Sequence, residues 1–306
     1  MTWLLFLEQC LNGLQFGLML FLLAAGLTLV FGIMDLINLA HGSLYMIGAY
    51  LAATLTQATG SFAWALPLAV LATAVLGMLL ELSLLRHLYR RDHLSQVLAT
   101  FALILIANET TRTIWGAQSL ALNVPQALSG SVELLPGVNY PAFRLLIIAV
   151  GLAVAVLLYL LVAHTRVGMW VRAGASNRDM ATAMGTNIKL LFTLVFGVGA
   201  ALCALAGAML APLLAVQVGM GESILILAFV VVVIGGIGSI RGAFVGALLV
   251  GMTDTLGRAF IPAGLKGLLS TSFAAAAGPA LASISIYLTM VIVLFWKPQG
   301  LFPVRA

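Results

Sequence analysis

Apolar runs of about 20 residues alternate with short polar segments along nearly the whole chain. A helix of that length crosses about 30 Å of hydrocarbon, and the period-2 alternation of a membrane barrel is absent. The pattern predicts an all-α, polytopic integral membrane protein with about eight to nine transmembrane helices, some of them broken by glycine. The predicted spans lie near residues 9–33, 36–57, 62–85, 95–115, 143–163, 190–214, 223–240, 243–258 and 280–296.

Composition supports this class. Of the 306 residues, 63% are hydrophobic and 8% are charged, which excludes a soluble domain with a charged shell. Cys10 and Cys203 both lie in apolar runs, so we interpret them as small core residues and not as a disulfide or metal framework. We expect no metal site and no catalytic residues in the chain.

Basic residues predict the orientation of the spans. Ten of the fourteen lysines and arginines fall in segments on one side. Because cytoplasmic loops carry an excess of Lys and Arg, that side is predicted to be cytoplasmic. The C-terminus is then cytoplasmic, and segments 116–142, 215–222 and 259–279 lie on the outer face. No Lys or Arg precedes Arg86, so the side of the N-terminus depends on whether residues 35–50 begin a full second span or a re-entrant one; we favour nine crossings with the N-terminus outside. The ten residues are Arg86, Arg90, Arg91, Arg166, Arg172, Arg178, Lys189, Arg241, Lys297 and Arg305.

Residues 164–190 form the one long stretch that is both polar and basic. Ser176 is predicted to cap a short helix, with Asp179 three residues later as in a capping box. Gly185 supplies the left-handed stop. Met180, Ala183 and Met184 lie at helical spacing on one apolar face, which predicts a docking helix.

Two glycine-interrupted segments differ from ordinary spans. In the first, Asn38, His41 and Gly42 lie within apolar sequence; in the second, Gly235 and Gly236 precede further glycines. Backbone at membrane depth departs from helix only where protein or a water-filled cavity satisfies its polar groups, and paired broken segments are typical of transport sites. These five residues are the predicted substrate pathway. Close helix packing through small residues is the alternative for the second segment.

Acidic residues in the predicted spans each precede an arginine by three to five positions. Local ion pairs are therefore expected. The pair of Glu81 and Arg86 is expected at the inner surface, with its charges in water. The pairs are Glu81 with Arg86, Glu109 with Arg112, and Asp254 with Arg258.

Four segments in order resemble the permease subunits of bacterial branched-chain amino acid ABC importers. They are GLTLVFGIMDLINLAHGSLYMIGAY, RAGASNRDMATAMGTNI, AFVVVVIGGIGSIRGAFVGALL and KPQGLF. The resemblance implies one permease domain over residues 1–306 in the bacterial inner membrane. It also implies a second related permease, in a heterodimer, together with two cytoplasmic ATPase subunits and a periplasmic binding protein. No nucleic acid partner is expected.

The resemblance makes residues 164–190 the coupling segment that contacts the ATPase. The coupling residues are then Arg172, Asn177, Arg178, Met180, Ala183, Met184 and Gly185. A stripe of small residues is further predicted to receive a helix of the second permease. This stripe consists of Gly207, Ala211, Gly238, Gly242 and Gly246.

The three lysines do not fit a phosphate-binding loop, since none of Lys189, Lys266 and Lys297 follows a glycine. We therefore expect a transport subunit that is not an enzyme and holds no cofactor, with ATP and Mg²⁺ on the partner ATPases. Urea, short amides or aromatic acids are alternative substrates for the same architecture. A secondary transporter is the alternative of another class. An intramembrane hydrolase is disfavoured because His41 and Ser43, at i and i+2, do not face each other on a helix.

Overall fold

The computed structural model describes residues 3–89, 91–266 and 271–303. This part of the chain forms eleven α-helices, two short 3₁₀ turns at Leu85–His87 and Gln126–Leu128, and one β-hairpin. The helices are α1 (Trp3–Met34), α2 (His41–Thr59), α3 (Phe62–Ser83), α4 (His93–Trp115), α5 (Ala142–His164), α6 (Arg166–Ser176), α7 (Arg178–Ala183), α8 (Ile188–Leu210), α9 (Met220–Gly235), α10 (Ile240–Lys266) and α11 (Thr271–Trp296). The strands are β1 (Ser131–Leu135) and β2 (Val138–Pro141).

Nine of these helices match the nine predicted spans, which confirms the all-α, polytopic fold. Seven are long and apolar enough to cross a membrane. The other two are α2, which is more polar, and α9, which has 16 residues. The predicted span 36–57 begins only at His41, because residues 35–40 are not helical and Asp35 has a φ of 50°.

The helix ends form two groups at opposite ends of the bundle. Arg178 of α7 donates to the carbonyl of Ile33, so α7 lies at the C-terminal end of α1. Tyr140 of β2 donates to Asn12, so the hairpin lies beside the N-terminal half of α1. We call these ends the basic face and the hairpin face.

The basic face carries eight of the twelve lysines and arginines within the described residues. They are Arg86, Arg91, Arg166, Arg172, Arg178, Lys189, Arg241 and Lys297. Arg90 and Arg305, which the sequence assigns to the same side, lie outside the described residues, as does the part 267–270 of the predicted outer segment 259–279.

Helix α1 forms the centre of the bundle. Its most apolar 18-residue window is 83% buried, and α5, α8, α9 and α10 pack around it. A helix that is apolar all round belongs inside a bundle. In contrast, α3, α4, α5 and α11 expose rows of Leu, Ile and Phe, a surface suited to contact with lipid acyl chains. The fold is therefore a central helix surrounded by helices that face the membrane.

The predicted glycine stripe does not form a free surface. A Cβ added to Gly242 would lie 2.1 Å from the carbonyl oxygen of Gly235 in α9, and one added to Gly207 would lie 2.2 Å from that of Tyr45 in α2. The prediction that a second permease packs on this stripe is wrong. Small residues at helical spacing indicate close packing, but they do not specify which helix approaches.

A small hairpin closes the bundle at the hairpin face. Strands β1 and β2 pair antiparallel, and Gly137, with a φ of 87°, lies in the turn between them. The segment before the hairpin is held by a bridge between Leu120 and Val216. Residues 116–142, which were predicted to form an outer loop, thus contain a strand pair.

Candidate functional site

Helices α2 and α9 meet at their N-terminal ends inside the bundle. A Cβ added to Gly42 would lie 2.2 Å from the carbonyl oxygen of Gly221, and one added to Gly221 would lie 2.1 Å from that of Gly42. The two backbones are therefore in direct contact, which only glycine permits at both positions. His41, next to this contact, reaches the carbonyl of Leu23, about 16 Å along α1 from its C-terminal end. Both helices thus start at mid-depth in the bundle rather than at one of its two ends.

The predicted pathway residues Asn38 and His41 are fully buried at this crossing. The Asn38 Oδ1 accepts from the backbone N–H of Ala40 at 3.0 Å and stabilises the irregular segment. The His41 Nε2 lies 3.3 Å from the Leu23 carbonyl oxygen and 2.9 Å from the Cys203 sulfur. Within the described residues, the Asn38 Nδ2 and the His41 Nδ1 have no hydrogen-bond partner. In this conformation both side chains pack in the core, and their role in a pathway stays a prediction.

Gly235 and Gly236 lie at the basic face, far along α9 from the crossing. The backbone of Gly235 contacts Gly242, and Gly236 has a φ of 102°. The C-terminal segment covers them, since Phe302 donates its N–H to the Gly235 carbonyl at 2.9 Å. The structure therefore does not bring these two glycines together with Asn38 and His41.

A polar pair that the sequence analysis missed lies on the outside of the bundle. The Asn108 Nδ2 of α4 donates to the Glu222 Oε1 of α9 at 2.6 Å, and Glu222 is exposed. Asn108 lies about 10 Å along α4 from its end at Trp115, so the pair is within the spanning part of the helix. An exposed carboxylate at such a depth is costly against lipid and marks a surface that faces protein or water. Asn108 and Glu222 are 114 positions apart, so no local sequence pattern indicates that they form a pair.

Residues 164–190 form two helices, not one. Thr165 caps α6 through the N–H of Gly168, and Asn177 caps α7 by accepting from the N–H of Met180 at 2.9 Å. The predicted cap, Ser176, is instead the last residue of α6. Asn177 caps α7 in place of Ser176 because its extended backbone, with a φ of −154°, places its side chain over the first turn of the helix.

The predicted end of α7 is confirmed. Gly185 has a φ of 88°, and the N–H groups of Gly185 and Thr186 donate to Thr182 and Ala181 at 2.9 and 3.0 Å. These two bonds form a Schellman motif, which satisfies the last carbonyls of the helix. Helix α7 is thus fixed at both ends.

The two methionines at α7 point away from the protein, whereas Ala181 on the opposite face is buried. Met180 is 62% exposed and Met184 is 81% exposed, and Ala183 between them is also exposed. Arg178 points inward, donating to the Ile33 carbonyl at 3.2 Å and lying over the ring of Phe192. Exposed methionines are common at protein-binding surfaces, and the docking role of α7 stays a prediction.

The other coupling residue, Arg172 of α6, is exposed and donates to the Val162 carbonyl near the end of α5. It holds the α5–α6 corner rather than contacting α7. The predicted coupling residues thus have three different positions. Asn177 and Gly185 cap α7, and Arg172 and Arg178 anchor α6 and α7. The side chains of Met180, Ala183 and Met184 are exposed.

Glu81 is buried beneath the basic face, contrary to the predicted surface position. Its carboxylate accepts from Tyr89 at 2.8 Å, from Thr193 at 2.6 Å and from Arg86 at 3.3 Å. Glu81 is 0% exposed, so these three donors solvate its carboxylate in place of the water that a surface position would provide. Burial and the neighbouring Glu81 carboxylate raise the pKa of Tyr89, so its phenol stays protonated as a donor. Tyr89 and Thr193 lie too far from Glu81 in the sequence to have been paired with it.

This cluster is connected to α7. Thr193 follows Phe192, whose ring lies under the guanidinium of Arg178 at 5.5 Å and against Tyr89. Arg178 thus links α7 to Phe192 in the second turn of α8 and, through the neighbouring Tyr89 and Thr193, to the Glu81 site near the end of α3.

A many-helix membrane bundle with discontinuous helices inside is typical of membrane transport subunits. The family model described as branched-chain amino acid transport system / permease component matches residues 9–294. The chain belongs to this family of permeases, as the sequence resemblance predicted.

Three curated proteins illustrate the relationship. The permease LivH of Salmonella typhimurium is 29% identical over 285 residues, which cover 87% of this chain and 90% of LivH. BraD of Pseudomonas aeruginosa is 31% identical over 266 residues, covering 82% and 86%. LivM of Salmonella typhimurium is 28% identical over 309 residues, covering 92% of this chain and 67% of LivM. All three are described as permease proteins of high-affinity branched-chain amino acid transport systems. No solved structure matches the chain.

Proposed function

We propose that the chain forms half of the membrane path of an ATP-driven importer of branched-chain amino acids. The observation that carries the proposal is α7, a capped helix with exposed methionines at the basic face of a permease-family bundle. In this proposal α7 docks on a cytoplasmic ATPase subunit, which binds ATP and Mg²⁺. A periplasmic binding protein delivers the substrate at the hairpin face.

The orientation of the bundle follows from its charge. The positive-inside rule makes the basic face cytoplasmic, because eight of the twelve described lysines and arginines lie there. The C-terminal segment ends on that face, and the N-terminal end of α1 lies at the opposite, periplasmic face. This arrangement supports a position in the bacterial inner membrane with nine crossings, of which α2 and α9 are the short ones.

A second permease completes the path. The chain matches both LivH-type and LivM-type permeases, which supports a heterodimer of two related chains. In this proposal the second permease contacts the surface that carries Asn108 and Glu222, because a polar pair in the spanning region needs a protein or water neighbour. The buried crossing at Asn38, His41 and Gly42 shares helix α9 with this surface and is the element whose movement would open the path.

Cysteine labelling tests the path. In a chain lacking Cys10 and Cys203, Glu222→Cys should react with a small water-soluble thiol reagent, and Asn38→Cys should react only in some nucleotide states. If Asn38→Cys never reacts in any state, the crossing is static core. If Glu222→Cys never reacts, its surface does not line an aqueous path.

Reconstituted transport tests the function. The chain is purified with its two ATPases, second permease and binding protein, and placed in liposomes with ATP inside or outside the vesicles. Uptake of labelled leucine should require ATP on the basic-face side and the binding protein on the other. Leucine movement without ATPases, or with an ion gradient alone, would support a secondary transporter. Efficient uptake without the second permease would contradict the heterodimer. A competition series with urea, amides and aromatic acids then defines the substrate.

A further inference from the structure

The end of α5 at the basic face carries a cluster of three side chains on the outside of the bundle. The guanidinium of Arg241, near the start of α10, lies over the ring of Tyr159, with its Cζ 5.3 Å from the ring centroid. The ring of His164 packs edge-on against the same tyrosine, at 5.9 Å between centroids. All three residues are exposed. We call Tyr159, His164 and Arg241 the α5–α10 cluster, and the proposed function leaves it without a role.

The cluster lies where the hydrocarbon layer of a membrane meets the lipid headgroups. Helix α5 has 23 residues and is therefore about 35 Å long, slightly more than the thickness of the hydrocarbon layer. Tyr159 is five residues before the end of the helix at His164, about 8 Å along its axis. Tyrosines at this depth keep their rings in the apolar layer and their hydroxyl groups among the headgroups. The cluster is thus within reach of a headgroup.

Arg241 has no acidic partner in the described part of the chain, because none of its ion pairs includes this residue. The Tyr159 ring attracts the face of the guanidinium, which leaves the N–H donors at the guanidinium edge available to a ligand. His164 adds an imidazole beside the same ring. A planar set of several donors matches the oxygens of a phosphate group. The cluster therefore suits an anionic headgroup.

Exposed aliphatic side chains continue from the cluster toward the middle of the membrane. On α5, Val156 and Leu152 lie one and two turns deeper than Tyr159, on the same side of the helix. On α10, Val245 lies one turn deeper than Arg241 and is also exposed. A cationic upper end above an apolar stripe is complementary to a whole phospholipid, with its phosphate at the cluster and an acyl chain on the stripe.

We propose that the α5–α10 cluster binds an anionic phospholipid of the leaflet at the basic face. The phosphate accepts from Arg241 and His164, and an acyl chain lies against Val156 and Leu152. A lipid fits better than a protein partner, because the apolar stripe below the cations leads into the hydrocarbon and not into water. The inference requires only that the bundle spans a membrane, so it does not depend on the proposed import of amino acids.

Native mass spectrometry tests the headgroup preference. The permease, with the subunits that co-purify with it, is titrated in detergent with phosphatidylglycerol or with phosphatidylcholine, and the affinity of the first bound lipids is determined. The variants are Arg241→Met and Tyr159→Leu. Arg91→Met is the matched control, because it removes one exposed positive charge from the basic face outside the cluster.

The parent complex should bind phosphatidylglycerol more tightly than phosphatidylcholine. Arg241→Met should weaken phosphatidylglycerol binding about 5- to 10-fold, as expected for the loss of one basic residue at a lipid surface. Tyr159→Leu should weaken it about 2- to 5-fold, because an exposed cation–π contact no longer orients the guanidinium. Arg91→Met should bind as the parent does. All three positions are exposed, so the variants should assemble normally.

A second measurement locates the lipid on the parent chain without any substitution. Phosphatidylglycerol with a photoactivatable acyl chain is incorporated with the complex into nanodiscs and irradiated. The labelled peptide should contain Leu152 and Val156, and excess unlabelled phosphatidylglycerol should reduce the labelling, whereas phosphatidylcholine should not.

Three results would overturn the proposal. Equal affinity of the parent complex for the two lipids would mean that the cluster has no headgroup preference. Equal loss in Arg91→Met and Arg241→Met would point to the overall charge of the basic face. Unchanged lipid binding in Arg241→Met, combined with weaker association of ATPase subunits, would assign the cluster to a protein contact.

Discussion

Replacing Met184 with Asp on α7 should separate the permease from its ATPase without disturbing the membrane bundle. Met184 is 81% exposed and follows the last helical residue, Ala183. Its side chain makes no contribution to the core of the chain, so insertion and folding should be unchanged. The substitution should therefore change only the affinity for a partner that buries this side chain.

The magnitude follows from the exposed surface. Burial of a methionine side chain contributes about 1.5–3 kcal/mol, and Met184 exposes most of its surface for this purpose. Loss of that contribution corresponds to about a 10- to 150-fold weaker association. An aspartate adds the cost of removing a charge from water, so the upper part of this range is expected.

The assay is association of purified ATPase subunits with the detergent-solubilised permease, measured by surface plasmon resonance, together with substrate-stimulated ATP hydrolysis in liposomes. Thr182→Asp introduces the same charge on the same helix, but on the face away from Met180 and Met184. It should weaken association at least 5-fold less. Equal loss in both variants would point to a general charge effect, and unchanged association of Met184→Asp would refute α7 as the docking helix.

Three further outcomes are expected. Glu81→Gln should lower the melting temperature of the permease, because a charged acceptor with three donors is replaced at a cost of about 1.5–3 kcal/mol. Gly42→Ala should abolish the assembled permease, because its Cβ would lie 2.2 Å from the Gly221 carbonyl oxygen, with backbone on both sides. Glu222→Gln should reduce leucine uptake about 10-fold or more while ATPase association stays normal, because its charge lies on the proposed path.

Two conservative substitutions serve as controls. Gly130→Ala introduces a Cβ with nothing within 4 Å, so it should assemble normally. Glu133→Gln changes an exposed carboxylate in the hairpin and should leave melting and uptake unaltered. Normal melting of Glu81→Gln, normal yield of Gly42→Ala, or full uptake by Glu222→Gln would contradict the respective assignment. Melting is followed by intrinsic fluorescence and yield by size-exclusion chromatography.

The class of the protein and its local structural signals could be predicted from the sequence alone. Apolar runs long enough to span a membrane predict helices whatever their neighbours are, because the backbone must satisfy its own hydrogen bonds in lipid. The end of α7 at Gly185 was also predictable, because a left-handed residue at a helix end is a local property of the sequence. The exposed apolar face of Met180 and Met184 followed from helical spacing alone.

Contacts between residues that are distant in the sequence could be identified only in the folded protein. Sequence placed Glu81 at the surface beside Arg86, but Tyr89 and Thr193 complete a buried site that spacing cannot reveal. Likewise, the glycine stripe at Gly242 predicted a close neighbour, yet only the fold identifies it as α9 of the same chain. Local hydrogen bonding is encoded within a few residues, whereas partners across the bundle are set by how whole helices pack.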